Sequence, residues 1–327
     1  MGFVLTTEEA NALLAKDPRN RDVLFPYLNG DDINTSINQS PSRWVINFHD
    51  WPLEKASQYA DCFAIIDGKV KPERLKNNRA VYRKYWWQYA ERRPALRDEM
   101  MRHPRVLVHP LTTKHNSLVF YEPNIVFSHM TVVLALDKWS EYAVLQSEVH
   151  WQWVLQHGNK FGNTPQYTPS DCVEPFPFPH SESPDLERLG KCYYEFRHQI
   201  MQTRQEGLTK TYNRIHDRGE QSADIARLRA LHVEMDQAVA AAYGWSDLDL
   251  GHGFHATKQG ERYTLSEPAR RTVLDKLLEL NHQRYAKELE DGLHDKAAKK
   301  AASKTKKSDA IAPQGELIKP PQPDLFG

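Results

Sequence analysis

Apolar positions along the chain change period several times, and the changes divide it into stretches. Between Thr6 and Pro18, the residues Ala10, Leu13 and Leu14 keep helical spacing behind Thr6-Thr7-Glu8-Glu9. A capping hydroxyl followed by acids suits the free N–H groups of a first helical turn, and Pro18 ends the run. Residues 22–52 read as irregular with short strands: LNGDDINTS holds an Asn-Gly turn signal, and Trp44 to Phe48 alternates with period two. Leu53 to Ala60 predicts a helical turn. The run CFAII, residues 62–66, fits either a buried strand or a buried helix. Residues 69–102 read as mostly helical. Four β-rich runs follow, RVLVHPL, NSLVFYE, NIVFSH and TVVLAL, and their turn-separated spacing predicts one antiparallel sheet. Helical period returns from Trp139 to His157.

The next stretch, TPSDCVEPFPFPHSESP, carries Pro175, Pro177 and Pro179, which exclude a regular helix or a central strand. It reads as an ordered, extended connector closing a first domain. Beyond it the spacing predicts helices over Asp185–Gln205, Ser222–Tyr243 and Ser266–Glu290, the last opening on Ser266-Glu267-Pro268, a capping serine with proline in the first turn. From Asp295 the chain is rich in Lys, Ala and Pro and poor in large apolar residues, so it reads as a disordered basic tail. The predicted fold is α+β: a mixed domain with a small antiparallel sheet over residues 1–180, an α-helical domain over 181–294, and the tail 295–327.

Composition narrows the setting. A length of 327 residues allows about two domains, and 40% hydrophobic residues suffice for their cores. Mean hydropathy is −0.69, which suits exposed helices and a solvated tail. Cys62, Cys172 and Cys192 lie far apart, without a C-x-x-C pair, so neither a cysteine zinc site nor a disulfide framework is expected. No segment has the apolar length of a membrane helix, and the N-terminus carries acids where a signal peptide carries bases. The expected location is the cytoplasm.

Net charge is zero, but its distribution is uneven. Residues 69–105 hold twelve basic side chains against four acidic ones, a local charge of +8, interleaved with Tyr82, Tyr85, Trp86, Trp87 and Tyr89. Lys and Arg neutralise phosphates and release counterions, and nearby aromatics can pack on sugars or bases. The plainer reading is an amphipathic helix whose aromatics pack inward while its charges are solvated.

Several enzyme classes lack their signatures. There is no P-loop and no G-x-S-x-G elbow. The Gly-rich turn that binds S-adenosylmethionine is absent, as is the [DNS]-P-P-[YF] tetrad of adenine methylation. Two weak enzyme signals remain. Asp67-Gly68-Lys69, with Asp61, fits half of a metal-dependent nuclease motif. His252 and His255 form H-x-x-H, which reads more simply as a loop with two exposed histidines.

Several stretches together resemble one family: PYLNGDDINTS, QSPSRWVINFHDWPLEKA, KVKPER, YWWQYAERRPAL, YTPSDCVEPFPFP, GLTKTYNRIHD and MDQAVAAAYGW. They resemble the C-terminal half of adenine-specific DNA methyltransferases of restriction and phage-defence systems, of the MmeI-like type, from about Phe3 to about Glu290. The resemblance implies a target-recognition domain followed by a helical segment, sequence-specific binding to double-stranded DNA, and presentation of a flipped adenine to a catalytic domain. That catalytic domain is missing from the sequence. The expectation is therefore that methyl transfer and its S-adenosylmethionine belong to another chain, with no cofactor in this one. A separate recognition subunit, a split gene and a truncated remnant all fit. The rival readings are a metal-dependent nuclease using Asp61, Asp67 and Lys69, and an adaptor that docks on a methyltransferase.

Phosphate contacts position a protein on DNA and base-edge contacts specify sequence. The candidates for phosphate are Lys69, Lys71, Arg74, Arg79, Arg83, Lys84, Arg92 and Arg93. The candidates for base reading are Thr112, Thr113, Lys114, His115 and Asn116, taken as a tip between two strands; an ordinary hairpin loop is the alternative. Asn29, Asp31 and Asp32 are expected to hold their own turn by Asx bonds. Tyr167, Phe176 and Phe178 are expected to anchor packing, and Asp236, Tyr243 and Trp245 to be structural. At the C-terminus Gln322-Pro323-Asp324-Leu325-Phe326 resembles the short peptide by which bacterial proteins bind the replication sliding clamp, so Gln322, Asp324, Leu325 and Phe326 are candidate partner contacts.

Overall fold

The computed structural model describes residues 2–89, 93–180 and 183–293. Arg92, the tail from 295 and the peptide Gln322–Phe326 lie outside them.

The chain opens with strand β1 (Val4–Leu5) and helix α1 (Thr7–Lys16). Thr6 and Glu9 form a reciprocal capping box, as the acidic start suggested. A 3-10 turn (Pro18–Asp22) leads to β2 (Leu24–Leu28), α2 (Gly30–Thr35) and β3 (Arg43–Ile46). Asn29 caps α2 through the local Asx bonds expected there: its Oδ1 accepts from the N–H groups of Asp31 and Asp32, and the Asp32 carboxylate accepts from the Asn29 N–H. Helices α3 (Leu53–Ala56), α4 (Ala60–Lys69), α5 (Lys71–Leu75), α6 (Ala80–Lys84) and α7 (Pro94–Met100) follow. The CFAII run is helical, with Cys62 and Ile66 facing the core.

Next come β4 (Val106–Pro110), β5 (Val119–Tyr121), β6 (Val126–Phe127) and β7 (Thr131–Leu134). Only three of these form the expected antiparallel sheet, in the order β5-β4-β7. Strand β6 instead pairs in parallel with β2, Tyr27 opposite Val126, and completes a first sheet of order β1-β3-β2-β6. The reason is an edge: β2 has one side paired to β3 and the other open, and β6 covers it. The Ser128 N–H then donates to Leu28 O, and the chain turns into β7. The crossover ties the two sheets together.

Helices α8 (Trp139–Gln146) and α9 (Glu148–His157) break at Ser147, which caps α9. A hairpin that the sequence reading passed over follows, β8 (Asn159–Phe161) and β9 (Thr164–Gln166), then the short α10 (Pro169–Cys172). After the extended prolines come α11 (Pro184–Arg204), α12 (Leu208–Ile215), α13 (Ala223–Ala242), β10 (Gly253–Thr257), β11 (Gly260–Thr264) and α14 (Glu267–Glu290). The C-terminal part is therefore helical with one antiparallel hairpin, not helical throughout. Gly260, the first residue of β11, has a φ of +96°, a conformation a side chain strains.

Two apolar cores organise these elements. One joins Phe3, Leu5, Val45, Ile46, Phe48, Ile66, Trp86 and Trp87 around the first sheet. The other runs without interruption from Val106 and Leu118 through Tyr142 and Trp153 to Leu228, Val273 and Leu277, across residue 180. The connector is part of that packing. Phe176 is buried, Asn281 Nδ2 donates to Pro175 O at 2.6 Å, and the Tyr243 hydroxyl donates to Pro177 O at 2.8 Å. Tyr167 is buried, and Trp245 stacks on Tyr243 with ring centroids 4.5 Å apart.

Candidate nucleic-acid interface

The +8 stretch is built on an aromatic base. Trp86 and Trp87 are both buried, packed edge to face. The Trp87 indole N–H and Gln88 Nε2 both donate to Trp51 O. The tryptophans thus anchor the segment in the first core and present no face for a base to stack on.

The cations divide by what holds them. Lys71 pairs with Asp67 at 2.6 Å and lies over the Trp86 ring. Arg74 is half-buried between the rings of Tyr82 and Phe3, and burial pushes its pKa down. Beyond the candidates, Arg105 is clamped between Phe120 and Trp139 at 3.8 and 3.9 Å and donates to Asp137 O. These residues hold the fold. Lys69, Lys76, Arg79, Arg83, Lys84 and Arg93 are exposed. Lys69 reaches Glu9 at 3.9 Å. Arg79 donates to the Tyr82 hydroxyl, and Arg83 donates to the carbonyls of Asn77 and Asn78, which sets its guanidinium along the turn between α5 and α6. Lys84 lies against the Tyr85 ring, and Arg93 takes a φ of +38° just before Pro94 starts α7.

The loop between β4 and β5 is not a projecting tip. Thr112 is half-buried and Lys114 exposed, but Thr113, His115 and Asn116 are buried at 7%, 3% and 6% exposure. The cause lies in α8. Its last carbonyls need donors, because the helix stops at Ser147. Asn116 Nδ2 donates to Leu145 O at 2.7 Å, while Gln146 Nε2 donates to Asn116 O and Gln146 Oε1 accepts from Leu118 N–H. His115 is drawn in as well, its Nε2 3.2 Å from Asn213 Oδ1 and its ring stacked on Tyr212. Burial pushes its pKa down to about 4. Of the five expected base readers, only Thr112 and Lys114 remain at the surface.

The β8–β9 hairpin was missed because three residues per strand give too short a pattern; its one signal is the Gly162-Asn163 dipeptide. An antiparallel bridge joins Thr112 to Gln166 of this hairpin.

Two hollows adjoin residues 112–116. A small hollow of about 30 Å³ adjoins the 114–116 loop, lined by His115, Glu148, His216, His232, Arg262 and Arg270 among others. Burial raises the Glu148 pKa, while its carboxylate accepts from Thr264 Oγ1 at 2.6 Å and Gln152 Nε2 at 2.8 Å. This hollow is the size of about one or two waters, far too small for a nucleobase. An open groove of about 810 Å³ runs past Glu8, Glu9, Asn29, Asp31, Arg43 and Thr112. Its three carboxylates disfavour a phosphate track there.

The enzyme signals do not assemble. Asp67 pairs with Lys71, not Lys69, and Asp61 pairs with Lys16. His252 is buried against Asp236 at 2.8 Å, whereas His255 bonds to Gly251 O. Asp236 is fully buried and also accepts from the Glu148 N–H. Among the described residues no group of three or more His, Cys, Asp or Glu side chains can hold a metal ion. Nor, among those residues, is any helix long and apolar enough to cross a membrane.

No curated protein matches the chain. A solved structure of the type IIL restriction-modification enzyme MmeI in complex with DNA is similar, with a TM-score of 0.57 and 19% identity. The match covers 86% of this chain and 34% of that one, so this chain spans about a third of the length of MmeI. Residues 1–180 match the family described as MmeI, target recognition domain. Since that stretch exceeds half of the sequence, the chain belongs to the MmeI target-recognition-domain family.

Proposed function

We propose that the chain recognises a specific sequence in double-stranded DNA on behalf of an adenine-specific methyltransferase of a restriction-modification or phage-defence system. The observation that carries this reading is the set of exposed cations Lys76, Arg79, Arg83, Lys84 and Arg93, in a segment anchored by the buried Trp86 and Trp87, within a target-recognition domain. Anchoring the segment limits how far its cations can move, which suits phosphate contacts that set register on a duplex. Methyl transfer and S-adenosylmethionine are assigned to a catalytic domain outside these 327 residues. The nuclease alternative loses support because both of its carboxylates are already paired with lysines.

The test is duplex binding by the purified chain, read by fluorescence anisotropy over a salt series and by selection from a randomised pool. A discrete motif is expected, with log affinity falling linearly in log salt. Lys76→Ala and Lys84→Ala are expected to lower that slope by about 0.9 each if each contacts one phosphate, without changing the selected motif. Absence of any selected motif, or a slope that neither variant changes, overturns the reading.

A further inference from the structure

The most exposed large apolar side chain among the described residues is Phe161, at 76% exposure, and it stands beside the turn of the β8–β9 hairpin. Water contact of this extent forgoes most of the burial energy of an aromatic ring, which a partner surface would restore.

The hairpin is held firmly at its base. Thr112 bridges to Gln166, the Tyr167 N–H donates to Leu111 O at 2.8 Å, and Asn159 Nδ2 donates to Asp171 Oδ2 at 2.7 Å. Tyr167 stacks on the buried His109 with ring centroids 4.0 Å apart. At the far end the turn is tight. Phe161 pairs with Thr164, and of the two residues between them only Gly162 has a positive φ, +61°, as a two-residue type II′ turn requires. A Cβ at Gly162 would meet nothing within 4 Å. The tip therefore stands clear of the other described residues.

Strand alternation sorts its side chains. Asn159, Phe161, Thr164 and Gln166 share one face, while Lys160 lies on the other, opposite the buried Pro165. No carboxylate occurs between Asn159 and Gln166, and the exposed Lys114 lies on the adjoining loop. A protein partner for a bare phenylalanine would be matched by an apolar surround. This tip instead surrounds it with amide, hydroxyl and ammonium groups. That combination fits DNA: the major groove admits a two-stranded β-ribbon, and the thymine methyl is the apolar group displayed there.

We propose that the β8–β9 ribbon enters the major groove, with Phe161 packed on a thymine methyl and Lys160 directed to the flanking phosphates. This rests on the DNA-recognition reading above, and it makes the hairpin, not the buried 113–116 loop, the base-reading element.

The experiment compares the full chain with Phe161→Ala on the motif selected by the wild-type protein, on single-base variants of that motif, and on duplexes in which thymine is replaced by deoxyuridine. Because Phe161 is exposed, the variant is expected to keep the wild-type melting temperature. Phe161→Ala should lose about tenfold or more of the discrimination at one position, the scale of a lost base contact. At that position deoxyuridine should weaken the wild-type protein but leave the variant unchanged, because both changes delete the same contact. An unchanged motif for Phe161→Ala, or an equal loss of affinity on every sequence, overturns the proposal. Failure of the wild-type chain to bind duplex DNA overturns the reading beneath it instead.

Discussion

Arg197 of α11 is 1% exposed, and its hydrogen-bond acceptors are all neutral. Its guanidinium donates to Leu118 O at 2.7 Å, to the Tyr212 hydroxyl at 3.1 Å and to Gln146 Oε1 at 3.2 Å, between the rings of Tyr142, Tyr193 and Tyr194. It thereby joins a helix beyond residue 180 to the start of β5. Truncation by Arg197→Ala has two costs. The emptied volume costs about 2–4 kcal/mol, the range for large-to-small core changes. The orphaned Leu118 carbonyl adds about 1–3 kcal/mol, whereas Gln146 and Tyr212 keep other partners. Relief from burying a charge offsets part of this, so the expected net loss is about 4 kcal/mol. Arg197→Met fills most of the volume and leaves chiefly the orphaned carbonyl, an expected loss of about 1–2 kcal/mol. Urea unfolding followed by tryptophan fluorescence measures both. At about 2–4 °C per kcal/mol, the alanine variant should melt roughly 10 °C lower. A loss below about 1 kcal/mol for Arg197→Ala, or equal losses for the two variants, would refute the assignment of the cost to packing plus one carbonyl.

Further predictions concern acid and close packing. Burial pushes the pKa of His109 and His150 down to about 3 and that of His115 to about 4, against about 6.5 in an unfolded chain. Their depressed values mean that the unfolded chain takes up protons first as pH falls. Stability is therefore full above about pH 6.5 and declines below it, by about 1.4 kcal/mol per histidine per pH unit until the folded values are reached. Melting temperatures measured from pH 7 to pH 5 should fall steeply, and a flat profile would show that these rings are not held neutral. A Cβ at Gly190 would lie 2.3 Å from Trp139 O, where α11 crosses α8, so Gly190→Ala should cost about 1–3 kcal/mol in denaturant titration. Gly68→Ala, in α4 with nothing within 4 Å, should instead stabilise by up to about 1 kcal/mol.

What the sequence determined by itself was local. Thr6 with Glu9, Ser266 with Pro268, and the proline spacing at 175–179 each act within a few residues, through caps and fixed φ angles, and the structure has the predicted helix starts and the extended connector in those places. The long amphipathic helices α11, α13 and α14 were legible for the same reason, as were the cationic stretch and the family resemblance, which need no three-dimensional arrangement to be seen. Tertiary structure decided the rest. The NIVF run carries the same β signal as its neighbours, but β6 pairs with β2 because that edge was open, a fact about a strand some hundred residues earlier. Polarity in Thr113, His115 and Asn116 suggested a surface tip, yet the unpaired carbonyls at the end of α8 and the side chain of Asn213 drew the last two inward. Charge could not show which of the arginines were structural: Arg74 and Arg105 lie against aromatic faces, and Arg105 also donates to the Asp137 carbonyl, whereas Arg83 and Arg93 are exposed. Composition reports how many donors, acceptors and rings a segment carries. Which of them satisfy one another, and which are left to meet a partner such as the one proposed for Phe161, is settled only when distant segments compete for the same buried positions.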